Sequence, residues 1–145
     1  LDGAHNPAGA AALATALDDL RPYLLGGDQP DPPPLTLVHG SMADKDVDGI
    51  IAALARARSM RDARIIATQV PGDRALPAAE LAARWRRLRA GAPVEAIPEV
   101  GAALDRALAG APGTIVVAGS LYIVGEARRR WLDDPRTRDP EVPGA

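Results

Sequence analysis

Four short apolar runs alternate with stretches of helical periodicity along this chain, and that alternation restricts its fold more than any other feature. LTLVHG (35–40), RIIAT (64–68), VEAI (94–97) and TIVVAG (114–119) are four to six residues long and rich in Val, Ile and Leu. Strands covered on both faces read as such runs, and strands separated by helix-length segments are joined by crossovers. The pattern therefore predicts an α/β fold: a mostly parallel sheet with helices on both faces. Helices are predicted from Pro7, with Leu13, Leu17, Leu20 and Leu24 inward, and from about Asp46, with Ile50, Ile51, Leu54 and Ala57 on one face. A third starts at Pro77, turns Leu81, Trp85 and Leu88 inward and stops at Gly91; a fourth starts at Pro98 and carries Val100, Leu104 and Leu108. The last starts near Ser120 and carries Val124, Ala127 and Trp131. Leu1-Asp2 reads as the final step of a fifth strand whose earlier residues are missing. GGDQPDPPP (26–34) is a loop by composition, and residues 133–145, Pro-rich and without periodicity, predict a disordered tail.

A chain of 145 residues suits one domain, and 47% apolar with 25% charged residues is globular composition. The net charge of −2 argues against nucleic acid as a partner, because phosphate binding needs clustered positive charge. RWRRLR (84–89) and Arg128 to Arg130 fall in helical patterns and read as solvated helix faces. The absence of Cys excludes disulfides and thiolate metal sites. No apolar run approaches the ~18 residues that span a bilayer. GxxxxGK[ST], GxGxxG after a strand, HExxH and GxSxG are all missing, so nothing supports an autonomous hydrolase, dehydrogenase or metalloenzyme.

Ligands of open parallel sheets bind beyond the carboxyl ends of the strands. Here the segments that follow strands are the chemically unusual ones: DGAHNP (2–7), GSMADKD (40–46), QVPGDRA (69–75) and GSLY (119–122). In DGAHNP, Asn6 as N-cap and Pro7 as first helical residue account for helix initiation, and Gly3 suits a tight turn. Asp2 and His5 are not needed for that. An acid leaving a strand can accept from a ribose hydroxyl or from a backbone amide, and a His beside a helix N-terminus can meet an anion or a carboxylate. Lys45 is the only lysine in a chain that otherwise uses Arg. It is either an ammonium kept for a task a guanidinium does not perform, or a bystander between the capping candidates Asp44 and Asp46. Ser120 can cap its helix, and the exposed amides there attract carboxylate or phosphate. Asp73 and Arg74 read locally as a surface pair, and His39 as structural.

LDGAHNP, MADKD, TQ followed by RALP, and GSLYIVGEAR occur in an order and spacing that resembles the C-terminal domain of folylpolyglutamate synthase. That enzyme is often bifunctional with dihydrofolate synthase and is part of the Mur ligase superfamily. The likeness runs to about residue 132, and DGAHNP together with GSLYxVGE makes it specific. It implies a three-layer, Rossmann-like domain over 1–132 from an ATP-dependent acid–amino-acid ligase that joins L-glutamate to a folate carboxyl through an acyl phosphate. An N-terminal ATPase domain, absent from this chain, would carry the P-loop, hold most of the ATP, Mg²⁺ and folate or dihydropteroate, and be this domain's partner; the fragment alone is expected to be inactive. The motifs assign Asp2 to the nucleotide and His5 and Ser120 to the incoming glutamate. Arg74 matches on the substrate side, and Lys45, between Asp44 and Asp46, matches a motif facing the cleft and is the catalytic candidate. No metal ligand is assigned to this chain, and the expected location is the cytoplasm, in folate biosynthesis and one-carbon metabolism. A Mur-type ligase for another amino acid and a non-catalytic α/β nucleotide- or anion-binding module are the alternatives. The long 26–34 connection and the tail depart from the family pattern without touching a matched motif.

Overall fold

The apolar runs form strands β1 (Thr36–His39), β2 (Arg64–Ala67), β3 (Val94–Ala96) and β4 (Ile115–Ala118). In the computed structural model, which describes residues 1–24, 33–110 and 113–132, they make one all-parallel sheet in the order β3-β2-β1-β4. Leu37 in β1 stands between Ile65 and Val116, which sets the register. Beyond β4, Asp2 bridges Ala118 in parallel and its N–H donates to the Val117 carbonyl at 2.9 Å, so Leu1-Asp2 does occupy a fifth strand position. The connections are helices α1 (Pro7–Leu24), α2 (Val47–Leu54), α3 (Ala78–Leu88) and α4 (Val100–Leu108), with α5 (Leu121–Trp131) after β4 and a 3-10 turn at Arg58–Met60.

Alternation along each strand divides the core into two layers. Leu37, Ile65, Val116 and Ala118 pack with Leu13, Leu17, Ile50, Leu81 and Trp85 of α1, α2 and α3. Val38, Ile66 and Val117 pack with Val100, Leu104, Ile123 and Ala127 of α4 and α5. Both sides of the central strands are therefore dry, which is why their sequences run apolar without a break. At the sheet edge β3 keeps Glu95, whose carboxylate takes Arg64 Nε at 2.9 Å and Arg106 Nε at 3.0 Å. A charged edge strand resists pairing with another chain.

The helices differ from expectation mainly at their ends. In α1 the inward residues are Ala10, Leu13, Ala14 and Leu17, while Leu20 is nearly half exposed; the side chain of Leu24 lies outside the described residues. In α3, Ala78, Leu81, Ala82 and Trp85 are buried but Leu88 is not, and in α4 Leu108 is exposed. Leu20, Leu88 and Leu108 each sit in or near the last turn of their helix. α4 starts at Val100 rather than Pro98, because the Glu99 carboxylate caps it by accepting from the Gly101 and Ala102 amides. In α5 Ile123 is sealed where Val124 was expected, and Trp131 is half buried. Ala57 is buried but lies beyond α2, at the entry to the 3-10 turn. The predicted tail at 133–145 and most of the 26–34 loop lie outside the described residues. Among the described residues no helix is long and apolar enough to cross a membrane.

Candidate functional site

With α1, α2 and α3 on one face and α4 and α5 on the other, the strand exits diverge. The chain leaving Asp2 and the chain leaving β1 turn to the first face, whereas β4, which lies between them, sends its exit to the second. Such a switch point opens a crevice at the carboxyl ends, where open α/β sheets take their ligands.

Contacts link the four exit segments around this crevice. Gly3 packs on the start of α5, so that a Cβ there would stand 2.5 Å from Leu121 Cδ2. Its φ is not in the left-handed region, so Gly3 serves close packing rather than the expected tight turn. At the other end of DGAHNP, Pro7 abuts the first turn of α2, 2.9 Å from where a Gly49 Cβ would be. Gly119 lies on the β1 exit, where a Cβ would collide with the Gly40 carbonyl oxygen. The β1 and β2 exits are tied by an antiparallel bridge of Met42 with Ala75, by Ala43 N–H to the Arg74 carbonyl at 2.7 Å and by Leu76 N–H to the Ser41 carbonyl at 3.0 Å.

The predicted residues lie on these segments. Asp2 Oδ1 accepts the Ala4 amide at 2.8 Å, and among the described residues its other oxygen has no partner. His5 Nδ1 is 2.8 Å from the Gly3 carbonyl. A carbonyl only accepts, so Nδ1 carries the proton, and the neutral tautomer that this selects has its acceptor at Nε2. Asn6 caps α1 through Gly9 N–H at 2.8 Å, as the sequence predicts. Asp46 caps α2 through Gly49 N–H at 2.9 Å. Lys45 is exposed and, among the described residues, forms no ion pair. Arg74 does not pair with Asp73 as its neighbourhood suggested: its Nη1 meets Asp44 Oδ2 at 3.3 Å, because the bridge of Met42 with Ala75 brings those loops side by side. Ser120 is nearly buried and caps α5, its Oγ accepting Tyr122 N–H at 3.2 Å. The hydroxyl hydrogen remains available for a further acceptor.

Beneath this rim, the sequence reading of His39 as structural is borne out, but its pairing with Trp85 was missed. His39, at the end of β1, is sealed in the core; Trp85 Nε1–H donates to its Nδ1 at 2.9 Å, and burial pushes its pKa down to about 4. Gly119 has φ +105 and rests on the imidazole. The available signal was composition: two His and two Trp in the whole chain, one of each facing the same layer. A cleft lined by Gln69, Pro98, Glu99 and Tyr122 lies on the α4–α5 side.

Known proteins share this chain and its fold. A family model described as the glutamate ligase domain of Mur ligases matches residues 1–121. A Haloferax volcanii protein described as a probable bifunctional folylpolyglutamate synthase/dihydropteroate synthase is 38% identical over 133 residues, covering 90% of this chain and 14% of its own length. The folylpolyglutamate synthase of Lacticaseibacillus casei is 34% identical over 133 residues, covering 91% and 26%. Among solved structures, Mycobacterium tuberculosis folylpolyglutamate synthase complexed with ADP and AMPPCP is 32% identical with a TM-score of 0.70, covering 93% of this chain and 30% of that one. The chain thus spans between about a seventh and a third of the length of these relatives. With the family match, these likenesses place a three-layer α/β domain with its crevice at the carboxyl edge in a known lineage: the chain belongs to the Mur ligase family, as a glutamate ligase domain.

Proposed function

We propose that this chain is the C-terminal domain of an ATP-dependent ligase that adds L-glutamate to a folate or to dihydropteroate, with the nucleotide-binding P-loop domain preceding it in a longer, cytoplasmic protein. The observation that carries this reading is the junction of the DGAHNP, GSMADKD and GSLY segments around one crevice at the switch point. Relatives described as folylpolyglutamate synthases, over 30% identical to nearly all of this chain, supply the substrate class.

The overall reaction transfers the ATP γ-phosphoryl group to a substrate carboxylate; the glutamate amine then attacks the acyl carbon, the C–N bond forms, phosphate leaves and the amine loses a proton. This domain's share is binding and orientation, which bring the amine onto the acyl carbon. Ser120 donates its hydroxyl hydrogen to a glutamate carboxylate while still accepting from Tyr122, and the first amides of α5 add their partial positive charge. The lone pair on His5 Nε2 suits the amino group of glutamate, as acceptor from the ammonium and as the nearest base for its proton. Asp2 has an unpartnered carboxylate oxygen for a ribose hydroxyl, which fits a nucleotide held mainly by the other domain. Lys45, on a loop braced by Arg74 and Asp44, offers its ammonium to the phosphoryl oxygens across the crevice. Mg²⁺, which the family resemblance assigns to the preceding domain, would there offset charge on the phosphoryl oxygens.

The test is ligation by the intact gene product. Supplied with ATP, glutamate and either dihydropteroate or a reduced folate, it should release ADP only when both the amino acid and the pterin acid are present. ADP release with another amino acid in place of glutamate would move the chain to a different Mur-type ligase; none with any amino acid would leave it a binding module.

A further inference from the structure

His39 and Trp85 take no part in the proposed ligand contacts, yet His39 lies directly beneath Gly119, the neighbour of Ser120. Both are sealed from solvent although each carries polar atoms. Their rings meet edge to face, with centroids 5.7 Å apart and planes at 84°, and the indole N–H donates to His39 Nδ1. Accepting at Nδ1 leaves the imidazole proton on Nε2. That Nε2 is buried and, among the described residues, has no hydrogen-bond partner. It sits under Gly119: a Cβ built there would stand 2.7 Å from Nε2 and would collide with His39 Cδ2 and the Gly40 carbonyl oxygen. The next residue is Ser120. Folded proteins keep few unsatisfied buried donors, and an apolar side chain would fill this space without one.

We propose that the Trp85–His39 pair is a positioning device for Ser120: the indole N–H locks the imidazole in one orientation, the imidazole edge supports the Gly119 backbone, and the height of the Gly119–Ser120 turn over the crevice is set from α3. The pair thereby tunes affinity for the amino-acid carboxylate without touching it; this consequence rests on the assignment of Ser120 to that carboxylate. Because burial keeps the ring neutral, the lock holds throughout the neutral pH range.

Trp85→Phe keeps a buried ring and removes the donor, and His39→Phe keeps a ring and removes both nitrogens. In the longer ligase each is expected to raise KM for glutamate about fivefold while KM for ATP stays within about twofold. Because the two act as one unit, the double variant should be no worse than either single. A merely structural role would lower the active fraction, and so kcat, without splitting the two KM values. In NMR spectra of this chain labelled with ¹⁵N, His39 should show a protonated Nε2 and an accepting Nδ1, and Trp85→Phe should shift the Gly119, Ser120 and Tyr122 amides. A parent enzyme that ligates glutamate with KM values unsplit in both variants overturns the positioning role and leaves the ligase reading intact. A parent that ligates no glutamate overturns the ligase reading instead. Unmoved Ser120 and Tyr122 amides in Trp85→Phe refute the device whatever the enzyme does.

Discussion

At the scale of single residues, Ser120 performs two tasks that substitution can separate. Its Oγ caps α5 by accepting from Tyr122 N–H, and in the proposed complex its hydrogen goes to the glutamate carboxylate. Aspartate caps a helix about as well as serine and suits the positive end of the helix dipole, but it cannot donate and it repels a carboxylate. Ser120→Asp in the longer enzyme should therefore keep or raise the thermal midpoint. Losing a hydrogen bond to a charged group, ~1.5–3 kcal/mol, should raise KM for glutamate by about tenfold or more, with KM for ATP nearly unchanged. Equal glutamate KM values for Ser120→Asp and the parent would leave Ser120 a cap and nothing else. Residues like this were legible in the sequence because they exceed what local structure asks: a turn and a cap explain Asn6, Pro7 and half of Ser120, but not Asp2, His5 or the lone Lys45. His39 and Trp85 were not legible as a pair, since what makes them one is a hydrogen bond across 46 residues between a strand end and a helix. Arg74 was misread for the same reason, its true partner lying 30 residues back on another loop.

At the scale of elements, periodicity gave each helix an inward face and each strand its place. It is silent about where a buried stripe stops, which is why Leu20, Leu88 and Leu108 were drawn inward although burial ends at Leu17, Trp85 and Ala107. It is equally silent about how connections are pinned. Asp18 on α1 anchors the chain between α2 and β2 by accepting from Arg58 N–H at 2.9 Å, Ser59 N–H at 2.8 Å and Ser59 Oγ–H at 2.9 Å. Partial burial pushes its pKa up, but the hydrogen bonds from Ser59 and Arg58 outweigh that and hold it below the usual carboxylate value. A carboxyl whose folded-state pKa is depressed stabilises the fold fully above its unfolded pKa and loses that contribution as pH falls through the folded one. Asp18→Ala should therefore cost ~1–3 kcal/mol at pH 7, mostly from amides left without an acceptor. In urea titrations the gap between variant and parent should narrow as pH falls below the ordinary carboxylate range and through the depressed folded-state value, where the parent's carboxyl takes up its proton. A gap that is the same at pH 7 and pH 3 would mean that the ionised form has no special part in the anchor.

At the scale of the whole molecule, the crevice offers a bound amino acid few charged or polar partners. The N-terminus of α5 contributes ~0.3–2 kcal/mol to a bound anion, and a hydrogen bond from Ser120 to a carboxylate ~1.5–3 kcal/mol. Their sum, ~2–5 kcal/mol, brackets the ~4 kcal/mol that corresponds to a Kd of 1 mM. Ordering a flexible amino acid and stripping water from its three charges subtract from it. High affinity thus requires a second wall, and closure of a preceding domain over the rim would supply one while excluding the water that hydrolyses an acyl phosphate. This chain on its own should accordingly bind glutamate with a Kd weaker than about 1 mM in an NMR titration, the shifts concentrated at His5, Ser120 and Tyr122. It should also release no ADP with ATP, glutamate and a folate all present. The same titration on the longer protein with nucleotide and folate present should move the Kd down by at least about tenfold, the signature of a site completed by closure. Sub-millimolar binding by this chain alone would mean that the rim is a finished site, which is what a self-sufficient amino-acid-binding module requires and half of a ligase does not.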